Sequence, residues 1–411
     1  MELYKKHISD LGRIVTGKTP RTSIPENYGG YIPFLTPSDD LSGKYAYKTS
    51  KTLSELGLKE VKNCLLPPNS ISVSCIGSDL GKVVITNKPT VTNQQFNSII
   101  PNEENDVDFV YYLMSVVGKH LNFLSKTSTA VPIINKSSFS DFEIEIPPID
   151  DQKRIATILS SLDEKIECNR RINDNLEKQA QALFKSWFVD FEPFKDGEFV
   201  ESEMGMIPKG WSIQKAQDVF EINIGKTPPR KEKEWFTEST EDNIWVSIAD
   251  MGNCGVFISD SSEYLTIEAI RKYNILMVEK ESVLLSFKLT IGRVAIADTK
   301  LTTNEAIARF ILPDKSYREF LYLYLKRYEY GSLGSTSSIA TAVNSKTIKG
   351  MKLLMPNVDI IKEFSHKARP LFEQIRINQQ ESRRLAQLRD TLLPRLMSGE
   401  LIVNEIERTV G

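Results

Sequence analysis

The chain has 411 residues, of which 40% are hydrophobic and 26% charged, a composition typical of a globular protein with more than one domain. Its 52 basic and 54 acidic residues leave a net charge of −2, so any nucleic-acid surface must be local or completed by a partner. Four cysteines without a C-x-x-C pair and three histidines argue against a zinc site and a disulfide framework. No apolar run reaches the length of a signal peptide or membrane span, so we expect a cytoplasmic protein without membrane contact.

The first motif along the chain is GRIVTGKT, from Gly12 to Thr19, which matches the pattern of a nucleotide-binding P-loop. A P-loop needs a helix after its lysine, but the proline- and glycine-rich segment PRTSIPENYGGYIP follows and prevents one. A second GKTP occurs at Gly225, and there Phe220 replaces the first glycine of the pattern. We therefore interpret GKTP as a turn, either purely structural or a basic loop that contacts DNA phosphates.

The chain is a repeat of two diverged units, each of roughly two hundred residues. GKTP, PFLTPSDD, GKVVI and TNQQFNSIIP in the first unit match GKTP, IWVSIADM, GRVAI and TNEAIARFILP in the second, in the same order. A period this long indicates duplicated domains rather than a solenoid.

Each unit opens with a segment of mixed strands and helices. ISVSCIG, KVVIT and FNSIIP in the first unit, and SVLLSF and RVAIA in the second, have strand composition. DFVYYLMSVVGKHLNFL and YREFLYLYLKRYEY have the one-sided apolar pattern of helices. These patterns predict an α+β domain in each unit.

A long helix is predicted to close each unit. The first runs from about Asp151 to Phe188, with Asp150 or Asp151 as its cap. Apolar residues at a 4-3 spacing give each helix a seam, so we expect the two helices to pack as an antiparallel coiled coil. The seam residues are Leu159, Leu162, Ile166, Asn169, Leu176, Leu371, Ile375, Asn378, Leu385 and Leu392.

Three seam features are unusual. Asn169 and Asn378 interrupt the two seams at equivalent points, where a buried polar residue would fix the register. Pro370 predicts a kink or a late start of the second helix, and Arg389 brings a charge to a seam position.

The predicted fold class is therefore α+β, with two tandem domains that are each followed by a long helix. The predicted boundaries are 1–149 for the first domain, 150–190 for a central helical spacer, 191–355 for a linker and the second domain, and 356–411 for a C-terminal helical spacer. An antiparallel rod would carry one domain at each end, which favours a DNA-reading protein with a bipartite, asymmetric target.

Polar loops in each unit are the candidate DNA contacts. Asn and Gln can read adenine, and Arg and Lys can read guanine or hold phosphates. The candidates are Lys18, Thr19, Arg21, Ser38, Asp39, Asn93, Gln94, Gln95, Lys226, Thr227, Arg230, Lys231, Lys233, Asp250, Asn304 and Glu305. TNQ and TNE could instead be turns that cap a strand. RKEKEW, from Arg230, has no close equivalent in the first unit and is a candidate for base reading in the second.

No constellation for catalysis is visible. The chain lacks N-P-P-[YF] and D-P-P-Y, the loops with which DNA methyltransferases hold a flipped base, and its three histidines are scattered. We expect no catalytic residue, no metal and no cofactor bound by this chain.

Three segments carry a family resemblance: IEIPPIDDQKRIATILSSLDEKI from Ile144, GMIPKGW from Gly205 and LRDTLLPRLMSGEL from Leu388. They resemble the specificity subunit of type I restriction–modification systems. The resemblance implies two target-recognition domains and two helical spacers without catalysis. It also implies double-stranded DNA as ligand, two modification (methyltransferase) subunits that use S-adenosylmethionine, and ATP- and Mg²⁺-dependent restriction subunits.

Two other interpretations stay open. The chain could be the recognition subunit of a related multi-subunit restriction enzyme, or a helical scaffold that joins two protein-binding domains and binds no DNA.

We expect the purified chain to bind no ATP, because the segment after GKT cannot form the helix whose N-terminus holds phosphate. Equilibrium dialysis with labelled ATP and Mg²⁺ tests this, with Lys18→Ala as the matched variant. Saturable binding that is lost in Lys18→Ala would show that the P-loop interpretation is right.

Overall fold

The computed structural model describes residues 1–77, 80–126, 133–333 and 343–401, so residues 402–411 of the predicted C-terminal spacer lie outside the described ranges. The chain divides into two compact units. Unit 1 consists of Met1–Glu167 and Arg383–Gly411, and unit 2 of Cys168–Ser382. Among the described residues, no helix has both the length and the apolar character needed to cross a membrane.

The elements of the first half of the chain alternate short strands with a few helices. The strands are β1 (Tyr4–His7), β2 (Gly12–Thr16), β3 (Tyr28–Leu35), β4 (Tyr45–Ala46), β5 (Lys51–Leu53), β6 (Leu65–Leu66), β7 (Ile71–Ser74), β8 (Val83–Thr86), β9 (Thr90–Thr92), β10 (Phe96–Pro101) and β11 (Glu143–Ile146). The helices are α1 (Glu55–Glu60), α2 (Val107–Lys126), α3 (Lys136–Ser140) and α4 (Ile149–Phe188).

The second half repeats this order after an additional hairpin. The strands are β12 (Phe199–Ser202), β13 (Gly205–Pro208), β14 (Ser212–Lys215), β15 (Glu221–Ile224), β16 (Phe236–Thr237), β17 (Asn243–Val246), β18 (Phe257–Ile258), β19 (Tyr264–Leu265), β20 (Val283–Ser286), β21 (Val294–Ala297), β22 (Thr302–Thr303), β23 (Ile307–Ile311) and β24 (Lys352–Met355). The helices are α5 (Ala216–Val219), α6 (Ile248–Asn253), α7 (Ile267–Lys272), α8 (Tyr317–Arg327), α9 (Ser345–Lys349) and α10 (Val358–Met397).

Each unit contains a five-stranded and a four-stranded sheet. The five-stranded orders, β2-β10-β7-β8-β4 in unit 1 and β15-β23-β20-β21-β18 in unit 2, correspond strand for strand. A parallel pair recurs in the four-stranded sheets: β3 with β9 at the centre of one, and β17 with β22 at the edge of the other. The expected α+β architecture of two tandem domains, each followed by a long helix, is confirmed.

The long helices differ from expectation at two points. Asp150 and Asp151 were expected to cap α4, but the backbone N–H of Gln152 already bonds the carbonyl of Pro148 at 3.0 Å. Both carboxylates therefore lie inside the first turn, where their negative charge interacts favourably with the positive end of the helix dipole. Helix α10 begins well before Pro370 and continues through it, so the late start is wrong. Pro370 is exposed, so it costs the helix no buried packing.

Helices α4 and α10 pack antiparallel within each unit. In unit 2, Asn169 donates to the carbonyl of Asn378 at 3.4 Å and to Oγ of Ser382 at 3.3 Å, while Asn173 donates to the carbonyl of Ile375 at 3.4 Å. The partner numbers fall as the α4 numbers rise, which defines the direction. The ten predicted seam residues are all buried or partly buried. Supercoiling of the pair stays a prediction.

The charge at seam position Arg389 is compensated inside unit 1. Its guanidinium donates to Asp163 at 2.6 Å, and the same carboxylate accepts from the Tyr112 hydroxyl at 2.5 Å. Burial and the hydrogen bond to Asp163 raise the pKa of Tyr112. These contacts attach helix α2 to both long helices. Around them pack Leu159 from α4 and Leu396 from α10, both fully buried.

In unit 2 a buried ionic cluster joins a shorter helix to a long helix. Arg318 on α8 is 4% exposed and pairs with Glu281, Glu319 and Glu373. Arg376 on α10 also pairs with Glu281, in the loop before β20. Since one carboxylate bridges two arginines from different helices, the five-stranded sheet of unit 2 is fixed to α10 by charge as well as by apolar packing.

We predict that Glu281→Gln destabilises the protein in a pH-dependent way. Burial raises the pKa of Glu281, but Arg318 and Arg376 outweigh it and hold that pKa below the ordinary value. The ionised carboxylate therefore stabilises the folded state at neutral pH, and this stabilisation is lost as the pH falls through the lowered pKa. At neutral pH the free energy of unfolding should fall by about 2–4 kcal/mol, and the difference should shrink below about pH 4.

Urea unfolding of the full chain measures the effect, and Glu279→Gln is the matched control. Glu279 is an exposed surface partner of Lys300 at 3.2 Å, so its loss should change stability by less than about 0.5 kcal/mol. Equal effects of the two variants, or an effect of Glu281→Gln that does not depend on pH, would contradict the prediction.

Candidate nucleic-acid interface

Several loops meet at one edge of the five-stranded sheet in each unit, because of strand register. In unit 1 the end of β2 pairs Thr16 with Asn97, and the end of β7 pairs Ser74 with Phe96. The loops after β2 and β7 therefore lie beside the turn before β10. We call this the loop edge. It comprises residues 17–21, 36–39, 75–77, 80–82 and 92–95 in unit 1, and 225–230, 247–250, 287–293 and 303–306 in unit 2.

The GKT loop packs directly on the TN turn in both units. Lys18 N donates to the Thr92 carbonyl at 2.9 Å, and Lys226 N to the Thr303 carbonyl at 3.0 Å. A Cβ added to Gly17 would lie 2.0 Å from the Asn93 carbonyl oxygen. Only glycine permits this approach. The two most conspicuous motifs of the repeat are thus structural partners.

The same contact joins the side chains predicted to touch DNA. The Thr19 hydroxyl donates to Oε1 of Gln94 at 2.5 Å, and Thr227 donates to Glu305 in the same way. Gln94 and Glu305 are exposed, so the two loop edges present an amide in one unit and a carboxylate in the other.

The two loop lysines are in different environments. Lys18 is exposed and forms no ion pair with any residue in the described part of the chain. The ammonium of Lys226 donates to the carbonyls of Tyr273 at 3.3 Å and Asn274 at 3.0 Å. Lys18 is therefore more available to a phosphate than Lys226.

The TN asparagines have a structural role that the sequence left open. Oδ1 of Asn93 accepts from the backbone of Gln95 at 3.0 Å, and its amide nitrogen donates to Oε1 of Gln95 at 2.8 Å. In unit 2, Oδ1 of Asn304 accepts from the backbone of Ala306 at 3.0 Å. Both close an Asx turn before a strand, as expected of the turn-capping alternative.

Asp39 and Asp250 also organise their own loops. Asp39 accepts from the backbone N–H groups of Thr36 at 2.7 Å and Ser50 at 2.6 Å. Burial raises the pKa of Asp39, but these hydrogen bonds outweigh it and lower that pKa. Asp250 accepts from Ser247 at 2.8 Å and from another loop serine, residue 262, at 3.0 Å.

Ser38 is the remaining candidate in these two loops. Its Oγ lies 2.8 Å from Oγ of Thr36, at the exposed surface of unit 1. The carboxylate oxygens of Asp39 and Asp250 already accept backbone hydrogen bonds. Of the three candidates in these two loops, Ser38 is therefore the one whose side chain is most available to a ligand.

The loop arginines are held by carboxylates. Arg21 donates to Glu60 through its backbone N–H at 2.9 Å and its Nε at 3.0 Å. Arg230 makes a two-pronged pair with Glu263, at 2.8 and 3.0 Å. Its guanidinium also lies 4.6 Å from the ring centroid of Trp245. The guanidinium groups of Arg21 and Arg230 are therefore oriented before any ligand binds.

Lys231 and Lys233 follow Arg230 in the same segment. Both are exposed, and neither pairs with a carboxylate in the part of the chain that the structure describes. They are therefore available to neutralise phosphate charge.

Sequence reasoning missed two kinds of residue at the loop edge. The carboxylate partners Glu60 and Glu263 lie far along the chain from their arginines, and no spacing rule connects them. The 287–293 hairpin was also missed, although GRVAI, the counterpart of GKVVI, begins at its end with Gly292 and marks its position. Within the described ranges, no group of three or more His, Cys, Asp or Glu side chains could hold a metal ion.

We predict that Gly225→Ala destabilises the protein by about 1–3 kcal/mol, because overpacking forces the backbone to move. A Cβ there would lie 2.1 Å from the Asn304 carbonyl oxygen. Gly331→Ala is the control, since an added Cβ meets nothing within 4 Å. Urea unfolding of the two variants measures the difference. Equal stability would mean that the GKT loop can leave the TN turn at no cost.

Comparison with known proteins gives consistent results. The family model described as the type I restriction modification DNA specificity domain matches residues 2–178 and 208–387. The chain is 32% identical to the type I restriction enzyme MjaIX specificity subunit of Methanocaldococcus jannaschii, over 98% of this chain and 94% of that protein. It is 25% identical to the HindI specificity subunit of Haemophilus influenzae, over 96% of this chain and 98% of that protein. The crystal structure of a type I restriction–modification S subunit from M. genitalium shares the fold, with a TM-score of 0.54, 16% identity and 96% of each chain covered.

Proposed function

The chain belongs to the family of type I restriction modification DNA specificity proteins, and we propose that it is the non-catalytic subunit that reads DNA sequence for a methylating and cleaving complex. Each domain reads one half of a bipartite target.

One observation carries the proposal: the two loop edges share a backbone frame but differ in the side chains that they present. Gln94 in unit 1 corresponds to Glu305 in unit 2. Arg230 lies over the rings of Phe236 and Trp245, whereas Arg21 has no such aromatic contact with any described residue. A shared frame with different polar groups fits two recognition modules that read different bases. The target should therefore be asymmetric.

The family and the surface of the chain support the proposed partners. Two modification subunits with S-adenosylmethionine would supply methylation, and restriction subunits with ATP and Mg²⁺ would supply cleavage. Exposed apolar residues on the long helices, Ile172, Ile377 and Leu388, are 41%, 56% and 46% exposed and are suited to protein contacts. The near-neutral charge of the chain supports phosphate contacts from the partners as well as from its own lysines.

We predict that deletion of the gene abolishes one split, asymmetric adenine-methylation motif in the host genome. We also predict that Arg230→Ala relaxes only one half of that motif, because Arg230 lies at the loop edge of unit 2. Single-molecule sequencing of native DNA measures both results.

Lys315→Ala is the control, since it removes a positive charge just beyond β23, at the end of that strand opposite the loop edge. It should leave both half-sites unchanged. An unchanged methylation map in the deletion strain, with the modification subunit shown to be active, would overturn the proposed function and favour the scaffold interpretation.

A further inference from the structure

Leu289 lies at the tip of the hairpin between β20 and β21, where its side chain gains no stabilising packing from the fold. Its side chain is 99% exposed, and its φ of +58° lies in the left-handed region. That region is unfavourable for a residue with a Cβ and is seldom occupied by a bulky apolar one. Leu289 therefore combines backbone strain with full exposure of apolar surface.

The surrounding hairpin imposes this conformation. Oγ of Ser286 donates to the Thr290 carbonyl at 2.6 Å and accepts from the Arg293 backbone at 3.0 Å. The Arg293 guanidinium in turn donates to the carbonyl of Ile248 at 2.5 Å, which ties the hairpin to the neighbouring loop. These hydrogen bonds hold the backbone of the hairpin that carries Leu289. Strain that is maintained in this way is characteristic of functional positions.

The tip belongs to the loop edge of unit 2. The backbone N–H of Phe287 donates to the Ala306 carbonyl at 2.9 Å, directly beside the TN turn on which the GKT loop packs. The Phe287 side chain is 1% exposed, so the hairpin base is buried while Leu289 stands clear of it.

We propose that Leu289 is a specificity-determining residue that contacts the bases of the half-site read by unit 2. This inference rests on the proposed function. An apolar side chain cannot contribute through phosphate contacts, but it can pack on the methyl group of thymine or wedge between neighbouring bases. The polar residues of the same loop edge would hold the backbone while Leu289 enters the groove.

The first unit has no apolar counterpart at this position. Aligning GKVVI with GRVAI places Gly81 opposite Gly292, two glycines with the same φ of +89°. Ser78 then corresponds to Leu289, and it lies outside the described residues. A contact that exists in one unit only is expected of a residue that distinguishes the two half-sites.

The test uses the full chain co-assembled with its modification subunits, and duplexes carrying the motif identified by methylation mapping. Leu289→Ala should weaken binding to the cognate duplex by about tenfold, the scale of one lost base contact. Binding to a duplex with the unit 2 half-site scrambled should not change, and neither should the salt dependence, because no phosphate contact is removed. Leu289→Met should retain most of the discrimination.

Two variants separate recognition from folding. Leu289→Gly should weaken recognition as Leu289→Ala does, yet leave Tm unchanged or raise it by about 1–3 °C, since glycine adopts positive φ without strain. Ile311→Ala removes an exposed apolar side chain (42% exposed) from the opposite end of β23, and it should leave recognition intact.

The outcomes distinguish this inference from the function on which it rests. If the wild-type complex shows no preference for the cognate duplex, the proposed function fails. If the wild-type complex discriminates and Leu289→Ala discriminates equally well, only the role of Leu289 is overturned. A fall in Tm for both Leu289→Ala and Leu289→Gly with unchanged discrimination would instead assign Leu289 to the stability of the fold.

Discussion

The approach of a glycine backbone to the TN turn is the contact on which each loop edge depends. Gly17 and Gly225 let the GKT loop lie so close to the turn before β10 or β23 that no side chain fits between them. This contact fixes where the following threonine, lysine and arginine emerge. It also links the ends of two strands that are far apart in sequence. The packing requirement thus accounts for the glycine of the GKT motif in both units.

A fixed frame allows the side chains at its rim to vary without loss of geometry. Backbone atoms and Asx turns hold the loops, while Gln94 and Glu305 occupy matching positions with different chemistry. Pairing of Arg21 and Arg230 with carboxylates reduces the rotamer entropy that these side chains would lose on binding. The pairing also lowers the net positive charge at the surface, so the proposed recognition by these loops would rely less on long-range attraction and more on local fit.

The sequence predicted those features that local patterns determine. The 4-3 spacing of apolar positions indicated the two long helices, from Leu159 in the first and up to Leu392 in the second. The ordered pairs of matching motifs indicated the duplication. Strand register was not predictable, because the contact of Gly17 with Asn93 depends on how β2 pairs with β10. For the same reason the sequence could not show that the carboxylates of Asp39 and Asp250, both predicted DNA contacts, accept backbone hydrogen bonds from their own loops. Leu289 gave no signal at all, since positive φ is normally associated with glycine or asparagine.

The division of the long helices has a consequence for synthesis on the ribosome. Unit 2 is one contiguous stretch, Cys168–Ser382, whereas unit 1 also needs Arg383–Gly411. Leu393, Leu396 and Met397 belong to the buried core of unit 1. The part of the chain that is translated first is therefore completed last, after unit 2 has all of its residues. Until then the nascent first unit exposes the apolar surface that these three side chains will cover. The unit therefore remains prone to aggregation until the C-terminal end of α10 has been synthesised and packs on it.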